Sequence, residues 1–320
     1  MRVANFSDGG QRRLGLVTDE TLIDPLRAGG ERAIFADTQS FLRAGAGGRQ
    51  AAEEIIATAP EGARQTLDKV LLLAPMLPTT ILCAGSNYRA HNAEKANAPL
   101  SGKEPEFFVK TADCVIGPDA PILHDPALTR KLDCETELAV VIGRPGRHIP
   151  VDQAHAHIWG YTIVNDVTAR DRQVRRNDQG FTWYELGRGK AFDTSAPMGP
   201  VIVSADEFGN PTRAMLRTHI NGELRQQASI GDMIWSCADL VHFFSTNFTL
   251  RPGMVILTGT PAGTAWSSDA ELGGRWQPAP GLVKATRYCE PGDLVESEIT
   301  GIGVLRNPVA AWEPGLEPEG

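Results

Sequence analysis

Apolar residues in this chain fall in short runs, never long ones. Beyond residue 75 the runs are TILCAGS (80–86), LAVVIG (138–143), GYTIVND (160–166), GPVIVS (199–204), LRTHINGE (216–223), GMVILTGT (253–260) and DLVESEI (293–299). Runs of this length, rich in β-branched residues and bounded by Gly, Pro, Asp or Asn, predict strands. Helical periodicity interrupts them at 152–158 and 233–245. So few crossover helices predict a mostly antiparallel sandwich or roll, not a doubly wound sheet. The first third reads differently: VANF, RLGLVT and TLIDP are strand-like, and helical patterns follow over 35–44 and 49–58. Two prolines near 75 mark a boundary. The expected organisation is a small α+β domain over 1–75, a larger, mainly β domain over 76–312, and a disordered Pro/Gly/Glu-rich tail over 313–320. The fold class is therefore α+β, mainly β.

One strand breaks the pattern. In LDCETELAVVIG (132–143), alternate side chains share a face. Leu132, Cys134, Thr136, Leu138, Val140 and Ile142 lie on one side; Asp133, Glu135 and Glu137 share the other with Ala139 and Val141. Buried like charges repel and lose hydration, so a strand running into a core with acids on one face needs something cationic beside it. GYTIVND also ends in an acid, Asp166. If the two strands are neighbours, Glu135, Glu137 and Asp166 form an all-oxygen set suited to Mg²⁺, Mn²⁺ or Ca²⁺ rather than zinc.

Composition narrows the function classes. A formal charge of -8 over 320 residues, without a basic stripe, argues against nucleic acid. No apolar run suits a signal peptide or a membrane span, so a cytoplasmic protein with no membrane partner is expected. Five scattered cysteines (Cys83, Cys114, Cys134, Cys237 and Cys289) form no C-x-x-C pair and suggest neither a disulfide framework nor a zinc ribbon.

Other chemistry is sparse. In NYRAHNAEK, His91 and Glu94 share a face if the segment is helical, and a carboxylate holding an imidazole suits a general base. Lys190 lies between small residues in GRGKAFD, and TGTPAGT (258–264) is a Gly-rich turn without the lysine of a phosphate loop.

Eight stretches, in order, resemble the fumarylacetoacetate hydrolase family: CAGSNYRAHNAE, EPEFFVK, LDCETELAVVIG, GYTIVNDVTARDRQ, GKAFDTSAPMGP, NGELRQ, TLRPGMVILTGTPAG and PGDLVESEITGIGVLRNP. The resemblance covers residues 78–308. It implies a mixed β-sandwich roll behind a small N-terminal domain, a homodimer, and Mg²⁺ or Mn²⁺ held by Glu135, Glu137 and Asp166. It further implies that His91 and Glu94 act as a catalytic pair on a lid, that Gln173 and Lys190 contact substrate, that Thr260 binds a substrate carboxylate and that Tyr88 flanks the site. Cys134 and Met254 depart from the family pattern, and 95–105 and 267–288 look longer than usual. Substrate identity is expected to reside in those two stretches.

The reaction expected first is hydrolysis of a carbon–carbon bond in a 1,3-dicarbonyl 2-oxo acid of the fumarylacetoacetate, fumarylpyruvate or acylpyruvate type, with His91 and Glu94 activating water. The alternatives on the same site are isomerisation or tautomerisation of a 2-hydroxydienoate and decarboxylation of a 2-oxo diacid such as oxaloacetate. A non-catalytic metal- or ligand-binding module would show a broken His–Glu pair or missing acids, and the sequence has neither.

Overall fold

A computed structural model describes residues 1–95, 103–277 and 279–315. Residues 96–102 of the expected lid and 316–320 of the expected tail lie outside the described residues. Strand Thr136–Ile142 forms the middle of the larger of two main sheets. It pairs antiparallel with Ile158–Asn165 on one side and with Val255–Leu257 on the other. The sheet then extends through Ile81–Gly85 to Glu106–Lys110 in one direction, and through Ala196–Ser204 to Arg2–Asp8 and the other N-terminal strands in the other direction. The register Arg2↔Val203 and Val3↔Ile202 joins the first 75 residues directly to this sheet. A second sheet has the order Glu223–Ser229, Met215–Ile220, Leu294–Ile299, Gly303–Ala311, Ile122–His124.

The central strand is apolar on both faces because both are covered. Leu138, Val140 and Ile142 pack with Leu240, Val241 and Phe244 of helix Cys237–Asn247 and with Leu216 and Ile299 of the second sheet. Ala139 and Val141 join a core that includes Phe41, Leu42, Ala52 and Ile55 of helix Thr38–Thr58. Burying each large aliphatic side chain contributes about 1.5–3 kcal/mol, so this strand is a rigid platform for what lies at its end.

Local chemistry shifts several predicted elements. The helical patterns at 35–44 and 49–58 merge into Thr38–Thr58, divided at Gly45, which has a non-helical φ of 55°. Residues 151–157 form a 3₁₀ segment instead of an α-helix. The helix expected from 233 begins at Cys237, where Ser236 and Asp239 form a reciprocal capping box. The strand read as continuous over 132–143 is broken: Leu132–Asp133 pairs with Thr168–Ala169, and the main strand starts at Thr136. Among the described residues, no helix is long and apolar enough to cross a membrane.

Candidate active site

The register Thr136↔Asn165 and Glu137↔Val164 sets the two acidic strand ends side by side. Across the break, the Asp166 N–H donates to the Glu135 carbonyl at 2.8 Å, and the Glu135 N–H donates to Asn165 Oδ1 at 2.8 Å. Glu135, Glu137 and Asp166 each offer a carboxylate oxygen, all within 4.8 Å of one another and all buried.

Three cations neutralise much of this charge. Lys190 Nζ bridges Glu135 and Asp166, donating to Asp166 Oδ2 at 2.6 Å. Arg170, fully buried, donates to Asp133 Oδ2 at 2.8 Å, to Gln173 Oε1 at 2.9 Å and to Glu135. Lys110, also fully buried, donates to Asp166 Oδ1 at 2.6 Å and to the Ser195 carbonyl at 2.7 Å. Burial alone would raise the Glu135 pKa, but Arg170 and Lys190 more than offset it and hold the group well below its usual range. Glu137 behaves oppositely: burial, and then the neighbouring Asp166, push it well above that range. It accepts the Gly259 N–H at 2.7 Å and makes no ion pair among the described residues.

The donor set fits a hard divalent cation. Five buried carboxylates (Glu94, Asp133, Glu135, Glu137 and Asp166) face three buried cations (Lys110, Arg170 and Lys190). With these groups and Lys95, which lines the same cavity, all ionised, one negative charge remains, and the three clustered oxygens are of the type that binds Mg²⁺ or Mn²⁺.

His91 lies on the short helix Arg89–Ala93 beside this cluster. Its Nδ1 is 3.0 Å from Glu94 Oε2, and its Nε2 is 3.9 Å from Glu135 Oε1. Burial, followed by the positive charge of Lys95, holds the imidazole pKa well below its ordinary value. Burial raises Glu94 to about 8, opposed by a 2.7 Å hydrogen bond from the Gly263 N–H to its Oε1. The pair therefore presents a neutral imidazole whose Nε2 lies on the side of the acids.

One cavity is lined by His91, Glu135, Glu137, Asp166, Gln173, Lys190 and Thr260, so these predicted residues come together; Glu94 sits behind His91. The Thr260 hydroxyl donates to the Thr136 carbonyl at 2.9 Å and accepts from Gln226 Nε2 at 2.8 Å, which fixes its position. Tyr88 is buried and is not among the lining residues. Its hydroxyl has no hydrogen-bond partner among the described residues.

Sequence reasoning missed Lys110, Arg170 and the role of Asp133. The break at 134–135 takes Asp133 out of the acid cluster, and its carboxylate instead accepts from Arg170 and from the backbone N–H groups of Ala265 and Trp266 at 3.0 Å each. The need for buried cations was readable; which lysine or arginine supplied them was not. Part of the long segment after residue 266 grips the His91 helix: Lys95 forms a β-bridge with Gly274, and the Arg275 N–H donates to the Glu94 carbonyl at 2.7 Å.

The sequence profile of the fumarylacetoacetate (FAA) hydrolase C-terminal domain matches residues 80–310. The chain belongs to the fumarylacetoacetate hydrolase family. The oxaloacetate tautomerase YisK of Bacillus subtilis (strain 168) is 37% identical over 246 residues, 76% of this chain and 74% of that protein. The human mitochondrial oxaloacetate tautomerase FAHD2A is 39% identical over 242 residues, 75% of this chain and 70% of its own. Among solved structures, the maleylpyruvate hydrolase of Sphingobium sp. SYK-6, in complex with manganese(II) ion and pyruvate, superposes with a TM-score of 0.74 at 26% identity, covering 98% of this chain and all of that one. The sheet-rich α+β fold is that of this family, and membership supports an enzymatic role. The sequence relatives carry tautomerase names, so they back the alternative reaction better than the hydrolysis ranked first from sequence.

Proposed function

We propose that this protein is a divalent-metal-dependent keto–enol tautomerase of a 2-oxo diacid of the oxaloacetate type. The observation that carries the reading is the juxtaposition of an oxygen-only ligand set with a neutral imidazole nitrogen 3.9 Å from one of its members. Glu135, Glu137 and Asp166 are the residues that would hold Mg²⁺ or Mn²⁺, and such a cation supplies Lewis-acid polarisation of the substrate's keto group.

This chain's own groups supply the proton transfer. With Glu94 ionised, His91 carries its proton on Nδ1, and Nε2 is left to take a proton from C3 of the keto form and to return it to the C2 oxygen, which gives the enol, or the reverse. Glu94 fixes the ring orientation, and the Gly263 N–H fixes Glu94. Lys190 holds positive charge beside Glu135 and Asp166, where negative charge builds on the substrate oxygen as the C3 proton leaves. Thr260 lies in the cavity wall, and because its hydroxyl donates to Thr136, its backbone N–H is the group it offers to the carboxylate next to the keto group; Gln173, held by Arg170, orients the substrate. Interconverting two tautomers needs only this proton movement and no water attack.

Hydrolysis of an acylpyruvate is the second reading. It is favoured by the same His91–Glu94 pair, which can equally deprotonate water, and by the likeness to a maleylpyruvate hydrolase. Two assays on the Mg²⁺-loaded protein separate the readings. The first follows decay of the enol absorbance of oxaloacetate, and the second follows pyruvate release from a short acylpyruvate. Tautomerase activity predicts accelerated enol decay without loss of total oxaloacetate. Pyruvate release with no effect on enol decay would replace this reading with the hydrolytic one.

A further inference from the structure

Resting on the 2-oxo diacid reading above, we propose that Lys95 anchors the distal carboxylate of the substrate and makes the site prefer diacids to monoacids. Lys95 lines the same cavity as His91 and the three clustered acids. Its ammonium donates to Ser86 Oγ at 3.3 Å and lies 5.2 Å from the centroid of the Trp266 ring. The other three cations of the site are committed: Lys110, Arg170 and Lys190 each hold carboxylates of the protein.

The surroundings of Lys95 are built to hold it in place. Its backbone bridges to Gly274, and its N–H donates to the Asn92 carbonyl at 3.3 Å. Ser86 has a φ of 58°, a left-handed conformation unfavourable for serine, and Asn92 Nδ2 donates to its carbonyl at 2.8 Å. The Ser86 hydroxyl also reaches Glu106 Oε2 at 3.4 Å, so one acid of this wall is linked to Lys95 through a hydroxyl, and Glu135 also acts on Lys95. Burial, the largest influence, lowers the Lys95 pKa to about 8, and a substrate carboxylate alongside would restore its charge. A monoacid spends its carboxylate and keto oxygen at the acid-lined end of the cavity and has nothing left for Lys95. A diacid has a second carboxylate to offer.

The test is calorimetric binding of oxaloacetate and of pyruvate to the full-length, Mg²⁺-loaded protein in a His91→Asn background, where proton transfer is disabled. The His91→Asn protein is expected to bind oxaloacetate more tightly than pyruvate. Adding Lys95→Met should weaken oxaloacetate about tenfold or more, the loss of one charge-assisted hydrogen bond, while pyruvate binding stays unchanged and reports an intact fold. Adding Lys95→Arg instead should keep the preference. If oxaloacetate still binds preferentially with Lys95→Met, the assignment of Lys95 is wrong and the proposed function stands. If neither 2-oxo acid binds the His91→Asn protein, the proposed function fails and this inference with it.

Discussion

Nδ1 of His91 lies 3.0 Å from Oε2 of Glu94, and this contact decides which ring nitrogen is left for the substrate. An ionised Glu94 draws the imidazole proton to Nδ1 and frees Nε2. A protonated Glu94 donates to Nδ1 and forces the proton onto Nε2, the wrong tautomer for a base. Because burial raises Glu94 to about 8, exchange of the C3 hydrogen of oxaloacetate for deuterium should rise with pH, with its midpoint near pH 8 and its plateau above about pH 9. Glu94→Gln should lose this rise and slow the exchange by about 10²-fold or more. Rates measured by NMR from pH 6 to 9 check this, and a flat wild-type profile would contradict it.

Glu137 predicts opposite effects on stability and on metal binding. Its folded pKa is raised, so the group stabilises the protein only while protonated. That contribution is lost as pH climbs from the ordinary carboxylate pKa toward the folded one. Metal-free Glu137→Gln should therefore be more stable than the wild type at pH 7, by about 1–3 kcal/mol. The same substitution should weaken Mg²⁺ binding, since it replaces one of the three clustered carboxylates with a neutral amide. Thermal melts with and without Mg²⁺ read both effects. Mg²⁺ should raise the wild-type Tm more at pH 8 than at pH 5, and should raise the variant's Tm little.

Arg170 predicts a structural loss. Its guanidinium serves Asp133, Glu135 and Gln173 with no exposure to solvent. Arg170→Met leaves buried Asp133 without its cation and Glu135 with Lys190 alone, and should cost about 3–5 kcal/mol in urea denaturation. An effect below about 1 kcal/mol would mean that other groups neutralise Asp133 and Glu135.

How much of this was legible depends on where the information lay. The clustered acids were readable because alternation on one strand groups Glu135 with Glu137, and a second strand-like run ends in Asp166. The His91–Glu94 pair was readable from its i, i+3 spacing. Arg170 and Lys110 were not, because an arginine or lysine near a strand end is solvated by default, and only the pairing of strands buries these two. Asp133 was misgrouped because alternation assumes an unbroken strand, and the break at 134–135 sends it to the backbone of Ala265 and Trp266. Tyr88, placed beside substrate by resemblance, is buried and is not among the residues that line the cavity. The long segment after 266 was visible as extra length; its grip on Glu94 and Lys95 needed the fold.

Gly263 predicts an effect on the His91–Glu94 pair transmitted through the backbone. Its φ of 111° is open to glycine, and a Cβ there would run into the Arg225 carbonyl. Gly263→Ala must move the loop and with it the N–H that holds Glu94. Turnover should fall while Mg²⁺ affinity, set by residues on other segments, stays within about twofold of wild type. Paired kinetics and calorimetry separate the two outcomes.

In the proposed function, His91 moves a proton at C3 in a site completed by a divalent cation. The most direct measurement is deuterium incorporation at C3 of oxaloacetate by the Mg²⁺-loaded protein, compared with the EDTA-treated protein and with Mg²⁺-loaded His91→Asn. Rapid incorporation that disappears in both controls, with Mg²⁺ binding retained by His91→Asn, is the predicted result. Equal incorporation by wild type and His91→Asn would contradict the account.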